Sequence, residues 1–300
     1  MSAAHSTPMS TQTSTQPTQT STQASAQAST QASTQTSAQA STAPLLAVEQ
    51  VSMQFGGLRA LDKVSLQVAE RQVVGLIGPN GSGKSTLINV LSRIYDPTEG
   101  RVVFKGSDIA PVPVHGVAAL GIARTFQNVR LFATMTVRDN LILGATSSTK
   151  AGFVTAGLSL PSARREEKAI NTRIEDVASL LGLESYLSRI AGDLPYGLQK
   201  LVELGRALVS EPRLVLLDEP VAGMNPGEKQ TLIAAFERIR KARDIAFLLV
   251  EHDMSFVMSL TEYLYVLDFG KLIAEGTPQV VAANARVIEA YLGGGSRAED

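Results

Sequence analysis

Apolar positions along this 300-residue chain recur with two periods, and the places where the period changes mark out its elements. Leu46-Ala47-Val48-Glu49-Gln50-Val51 and Val64-Ser65-Leu66-Gln67-Val68 alternate like strands with one buried face. Met53-Gln54-Phe55-Gly56-Gly57 lies between them and reads as a turn carrying an exposed aromatic ring. Arg101-Val102-Val103-Phe104 adds a strand after the turn Asp96-Pro97-Thr98-Glu99-Gly100, completing the pattern of a small antiparallel sheet. Val73-Val74-Gly75-Leu76-Ile77, Leu214-Val215-Leu216-Leu217 and Ala246-Phe247-Leu248-Leu249-Val250 are unbroken apolar runs, as buried parallel strands require. From about Thr136 to Ile190 the period turns helical: Val137, Leu141 and Ile142, then Ile170, Ile174, Val177, Leu180 and Leu181. Residues 144 to 161 interrupt it with Gly, Ser, Thr and Pro and predict a loop, and Arg164 to Lys168 reads as a solvated helix face. Asp193 to Lys200 opens another helix, with Leu201, Leu204, Leu208 and Val209 on its apolar side, and one more runs from Leu232 to Arg240.

The first buried run leads into Gly78-Pro79-Asn80-Gly81-Ser82-Gly83-Lys84-Ser85-Thr86 and then Leu87-Ile88-Asn89-Val90-Leu91, which has the spacing of a helix start. Strand, glycine loop and helix together are the setting of a phosphate-binding P-loop. Gly81 and Gly83 let bare N–H groups approach phosphate oxygens, and the helix adds its positive dipole end. Lys84 has the reach for the β- and γ-phosphates of a nucleoside triphosphate, and the Ser85 hydroxyl suits Mg²⁺. A P-loop also needs a carboxylate to hold Mg²⁺, and Asp218, at the end of a buried run in Asp218-Glu219-Pro220, is placed for it. The run 246–250 ends likewise in Glu251-His252-Asp253, where open α/β sheets bind ligands. Phe55 admits two readings, a platform for an adenine ring or a plain core residue. Gln127, in Arg124-Thr125-Phe126-Gln127-Asn128, gains meaning only from its company.

Composition narrows the partners. A formal net charge of -1 leaves no basic excess to neutralise phosphates, so nucleic acid is not expected as a partner. The absence of cysteine removes disulfides and thiolate metal sites. No apolar run approaches the roughly 18 residues of a membrane-spanning helix. Residues 1–44 carry no Lys, Arg, Asp or Glu and repeat Ser-(Thr/Ala)-Gln-(Ala/Thr) from Ser21 to Ser41. Nothing there is large enough to bury, which predicts a disordered tail, as does the short stretch 294–300.

The order of these motifs resembles that of ABC-type ATPases. Gly78 to Thr86 matches their Walker A loop, Gln127 the Q-loop, Leu194-Pro195-Tyr196-Gly197-Leu198 the signature loop, and Leu214 to Asp218 Walker B. Glu219 matches the catalytic glutamate, Ala222-Gly223-Met224-Asn225 the D-loop, and His252 the switch histidine. Within that superfamily the chain is similar to the ATP-binding subunit of bacterial branched-chain amino acid importers. The similarity lies in Phe55 to Leu61, Arg124 to Asn128, Leu194 to Gly197, Ala222 to Pro226 and Val287-Ile288-Glu289-Ala290-Tyr291-Leu292-Gly293.

The resemblance implies an α/β P-loop NTPase fold with a RecA-like core over 45–293. It adds an antiparallel β-subdomain and a helical subdomain at about 136–212. It implies ATP hydrolysis with Mg²⁺ held by Ser85, Asp218 and Gln127. Glu219 would polarise the attacking water, His252 would hold the γ-phosphate, and Gln127 would report that phosphate to a membrane partner. Expected partners are membrane permease subunits, a second ATPase subunit (the same or a different chain) and, indirectly, a periplasmic binding protein. The expected location is the cytoplasmic face of the bacterial inner membrane, held peripherally. Rival readings are an importer of another amide or amino acid, a soluble clamp on nucleic acid, and a non-hydrolysing sensor. Two departures stand out: Pro195 and Tyr196 replace the usual Ser and first Gly of the signature, and Asn225 replaces the D-loop Asp. The serine contact is gone, which leaves Tyr196, the Gly197 N–H and the helix dipole to face a phosphate on the opposite subunit.

Overall fold

The computed structural model describes residues 43–125, 127, 129–145 and 161–293, so the expected tail and the last residues lie outside what is described. In chain order the strands are β1 (Leu46–Phe55), β2 (Leu58–Val68), β3 (Val73–Ile77), β4 (Glu99–Phe104), β5 (Ser107–Asp108) and β6 (Ile122–Arg124). They continue with β7 (Leu214–Asp218), β8 (Ala246–Val250), β9 (Tyr263–Asp268) and β10 (Lys271–Gly276). The helices are α1 (Lys84–Leu91), α2 (Val117–Leu120), α3 (Val137–Ala145), α4 (Pro161–Leu181) and α5 (Tyr196–Val209). After them come α6 (Pro226–Ala242), α7 (Met254–Leu260), α8 (Pro278–Ala282) and α9 (Ala285–Gly293).

An antiparallel sheet in the order β2-β1-β4-β5 opens the fold. Its hairpin is longer than the alternation predicts: β1 runs on through Met53 and Phe55, and the turn shrinks to Gly56-Gly57. Bulges explain the difference. Gln50 and Lys63 have φ of 49° and 51°, and the β1–β2 register slips after Val48, Val51 and Met53. Each slip moves the inward face by one residue and ends a strict period of two. Gly100 is fitted to the same irregularity, since a Cβ there would lie 2.3 Å from the Gln50 carbonyl oxygen.

The second sheet has the order β10-β9-β3-β8-β7-β6, parallel except for β10, which pairs antiparallel with β9. Its central strands are apolar throughout because both faces are covered. Val73, Ile77, Val215, Leu217, Phe247 and Leu249 face one core together with α4, α5 and α6. Val74, Leu76, Leu214, Leu216, Ala246 and Leu248 face the other, shared with α1 and the antiparallel sheet. The period of two is present but hidden. This order sets the carboxyl ends of β3, β8, β7 and β6 side by side, and each carries one of the polar motifs.

Helices α3, α4 and α5 pack on one another through Leu141, Ile174, Val177, Leu181, Leu201 and Leu204. Gly144 and Ala145, expected in a loop, end α3, and Pro161 begins α4; residues 146–160 lie outside the described ones. Gly144 is a packing residue here and not a breaker, because a Cβ on it would come within 2.1 Å of the Arg206 carbonyl oxygen on α5.

Phe236 centres the first core, 2% exposed and edge-on to Phe247 and Phe256 at ring-centroid distances of 5.2 and 6.4 Å. Phe236→Ala is expected to lower unfolding free energy by about 3–5 kcal/mol in urea denaturation. A loss below about 1 kcal/mol would mean that the site collapses freely and does not organise the core.

Candidate active site

The P-loop leaves β3 and turns back over α1. Gly78 has φ 151°, and a Cβ there would lie 2.1 Å from the Leu267 carbonyl oxygen, so the loop is pressed against β9 at its first residue. The Gly270 N–H donates to the Ser82 carbonyl at 2.9 Å and ties down the other side. Lys84 is buried, and its Nζ donates to the carbonyls of Gly78 and Pro79 at 2.7 and 2.8 Å. Burial pulls the Lys84 ammonium below its ordinary pKa, against the opposing pull of Glu219 and Asp218. Ser82 Oγ is buried without a hydrogen-bond partner among the described residues, and Ser85 opens the first turn of α1 beside Lys84.

The neighbouring strand ends bring the other predicted residues to the same edge. Asp218 Oδ2 pairs with Arg124 Nη2 at 3.0 Å, and Arg124 also donates from Nη1 to Asn89 Oδ1 on α1 at 2.8 Å. The candidate Mg²⁺ carboxylate is therefore held by a half-buried cation from the end of β6, a partner that the sequence reading missed. Glu219 takes a left-handed turn at φ 47°, with its N–H donated to the Val250 carbonyl at 2.9 Å. Such a conformation in a residue with a Cβ is strained and persists only where neighbours fix it. Gln127 Nε2 donates to Glu219 Oε2 at 2.8 Å, and His252 Nδ1 lies 3.8 Å from Glu219 Oε1. Gln127, Glu219 and His252 thus form one group.

Two further residues position that group. Glu251 is fully buried, and its carboxylate accepts the N–H groups of Val221 (3.0 Å), His252 (2.9 Å) and Asp253 (3.3 Å). It splices the turn after β7 to the turn after β8. Lys200, buried on α5, donates to the Gln127 carbonyl at 2.6 Å, and Arg206 Nη1 donates to the Arg130 carbonyl at 2.6 Å. Burial lowers the pKa of both Lys200 and Arg206, with nearby Glu203 opposing. The segment around Gln127 therefore leans on the signature helix. Motif spacing named His252 but passed over Glu251 beside it, because an acid ending a strand has no assigned partner until the fold supplies one.

A cavity of about 890 Å³ lies over these groups. Gly78 to Ser82, Gln127, Glu219 and His252 line one side, and Arg286, Glu289 and Tyr291 of α9 line the other. Burial raises the Tyr291 phenol above its ordinary pKa, and a hydrogen bond with the Gly78 backbone works against this. The terminal helix therefore touches the P-loop, which its sequence alone did not announce. Phe55 is 41% exposed and meets Tyr95 edge-on at 5.2 Å, so the core reading of its ring is set aside.

The signature stretch differs from expectation in one respect. Gly197 is buried in the first turn of α5, and its N–H is donated within the chain to Glu228 Oε1 at 3.0 Å. Tyr196, 38% exposed, keeps its ring within 5.9 Å of Lys200 Nζ. Neither lines the cavity of the P-loop.

Glu251→Gln keeps the shape but turns one acceptor oxygen into a donor facing backbone N–H groups. It is expected to lower stability by about 1–3 kcal/mol and ATP turnover by up to ~100-fold at nearly unchanged nucleotide affinity. Steady-state ATPase assays beside equilibrium nucleotide binding check this, and wild-type turnover would show that the two turns hold their places without the carboxylate.

The ABC transporter family model matches residues 61–222, and the model described as branched-chain amino acid ATP-binding cassette transporter matches 271–296. The chain is 40% identical over 250 residues to the high-affinity branched-chain amino acid transport ATP-binding protein BraF of Pseudomonas aeruginosa, covering 83% of this chain and 98% of that one. It is 39% identical over 250 residues to LivG of Escherichia coli, a protein of the same description, with the same coverage. Among solved structures, a nucleotide-free ATP-binding cassette from an ABC transporter superposes with a TM-score of 0.72 at 34% identity, covering 83% of this chain and 99% of that one. An ATP-binding cassette of an ABC transporter in its ADP conformation gives 0.71 at 35% identity, covering 84% of this chain and 100% of that one. The order of strand-end motifs, the α/β fold and these matches agree: the chain belongs to the ABC transporter family of ATP-binding cassettes, in the branch of the branched-chain amino acid transport ATP-binding proteins.

Proposed function

We propose that the chain is the ATP-hydrolysing subunit that powers an importer of branched-chain amino acids. It would act from the cytoplasmic face of the membrane through permease subunits fed by a periplasmic binding protein. The observation that carries the reading is the joining of Gln127, Glu219 and His252 in one group at the mouth of the P-loop cavity. A nucleotide-binding fold alone needs none of the three. No helix among the described residues is long and apolar enough to cross a membrane, so membrane attachment would come through partners.

The chemistry follows from the side chains. The P-loop amides and Lys84 offset phosphate charge, the largest contribution to phosphoryl transfer. Glu219, fixed by its strained turn and by Gln127, would orient and deprotonate the attacking water, and His252 would hold the γ-phosphate. Phe55 would offer its exposed ring to the adenine. The oxygen donors Ser85, Asp218 and Gln127 suit a hard cation that takes few protein ligands, and they would hold Mg²⁺, which neutralises β- and γ-phosphate oxygens when bound. Among the described residues no group of three or more His, Cys, Asp or Glu comes together as a metal cage. Gln127 bonds Glu219 through its side chain and Lys200 through its carbonyl, so a change at the γ-phosphate would pass to the signature helix. Two subunits would close head to tail, with Tyr196 and the start of α5 meeting the opposite nucleotide.

Glu219→Gln is expected to retain ATP affinity, to fall ~10²–10⁴-fold in turnover, and to accumulate as an ATP-bound dimer in gel filtration. Turnover near wild type would remove Glu219 as the base. Reconstituted with its cognate permeases in proteoliposomes and supplied with the binding protein, the protein should drive ATP-dependent uptake of leucine, isoleucine or valine. Uptake of another amide or amino acid in their place would redirect the substrate assignment.

A further inference from the structure

The two departures in the sequence meet at one side chain. Pro195 is the N-cap of α5 and provides no side-chain acceptor. That acceptor comes from another helix: Glu228, in the first turn of α6, takes the Gly197 N–H on Oε1 at 3.0 Å. Its other oxygen, Oε2, accepts the Asn225 N–H at 2.9 Å, while Asn225 Oδ1 accepts the Glu228 N–H at 3.0 Å. The second pair is the capping box that starts α6. One carboxylate therefore serves two helix starts. The packing is close: a Cβ on Gly197 would lie 2.7 Å from Glu228 Cγ, and a Cβ on Gly223 would lie 3.4 Å from Tyr196 Cε1.

We propose that Glu228 is a positioning residue for ATP-driven subunit closure. It locks the signature loop to the D-loop, so that both reach the opposite subunit as one rigid element. The inference rests on the head-to-tail reading above. A carboxylate between two helix N-termini is favoured by both dipoles, and both N–H bonds to it are charge-assisted. Asn225 belongs to the same arrangement, since its N–H and its side-chain oxygen both bond Glu228. Pro195 is tolerated because the cap that a serine would supply arrives from α6.

Dimerisation of Glu219→Gln protein against ATP concentration, followed by analytical ultracentrifugation, provides the test. Adding Glu228→Ala is expected to raise the ATP concentration for half-dimerisation about tenfold, the low end of what one hydrogen bond to a charged group is worth. Nucleotide affinity of the monomer, read by equilibrium dialysis, should not move. Pro195→Ser separates capping from coupling, since it gives α5 its own side-chain cap without a link to α6. Within a Pro195→Ser background, Glu228→Ala should recover the part of its loss in melting temperature that comes from α5, the α6 cap staying lost, yet keep the tenfold difference in midpoint. If that difference vanishes together with the melting defect, Glu228 is a cap alone and the proposal fails. It fails equally if Glu228→Ala leaves the midpoint in place in the parent background. Should the alanine variant not fold, Glu228→Gln has one carbonyl for two N–H groups and should raise the midpoint by a smaller factor, with no rise overturning the idea. A Glu219→Gln parent that forms no dimer at any ATP concentration removes the head-to-tail reading, and the role of Glu228 with it.

Discussion

The constraint on which this protein depends is a parallel sheet covered on both faces. Strands β3, β8 and β7 have apolar side chains on either side, so polar groups can gather only where the strands end. Because β3, β8, β7 and β6 are neighbours, those ends form one edge. Lys84, Asp218, Glu219, Glu251, His252 and Gln127 all follow from it.

Charges placed so close together need partners. Lys84 is held by loop carbonyls, Asp218 by Arg124, Glu219 by Gln127, and Glu251 by three backbone amides. Removing one member of such a network leaves a half-buried charge or N–H unsatisfied, which is more damaging than the net worth of the bond. The partners also lie on different elements. Arg124 joins β6 to α1, Glu251 joins the turns after β7 and β8, Lys200 joins α5 to Gln127, and Glu228 joins α5 to α6. The polar groups at this edge are therefore tied to one another across elements and not only within their own.

Strands β1 to β4, β7 and β8, the P-loop, the order of motifs and the family were legible in the sequence, because they rest on local periodicity and short-range spacing, whereas β5, β6, β9 and β10 were not read from it. Residues 73–77 leading into Gly78 to Thr86 carry their meaning within fifteen positions. Where local rules failed, the cause was a long-range contact. The hairpin passes Val51 because bulges at Gln50 and Lys63 shift its inward face, and Gly144 stays helical because it packs on the Arg206 backbone.

The polar pairings that build the site were decided by tertiary structure. No spacing rule sets Arg124 against Asp218, 94 residues away, or carries Gly197 to Glu228, 31 residues away. The sequence by itself determined which chemical groups are present and which strand or helix bears each one, since those depend on neighbours along the chain. Only the fold decided that Pro195 and Asn225 belong to one arrangement. A helix start must have its N–H groups satisfied by whatever acceptor is near in space, and here that acceptor is supplied from the next helix.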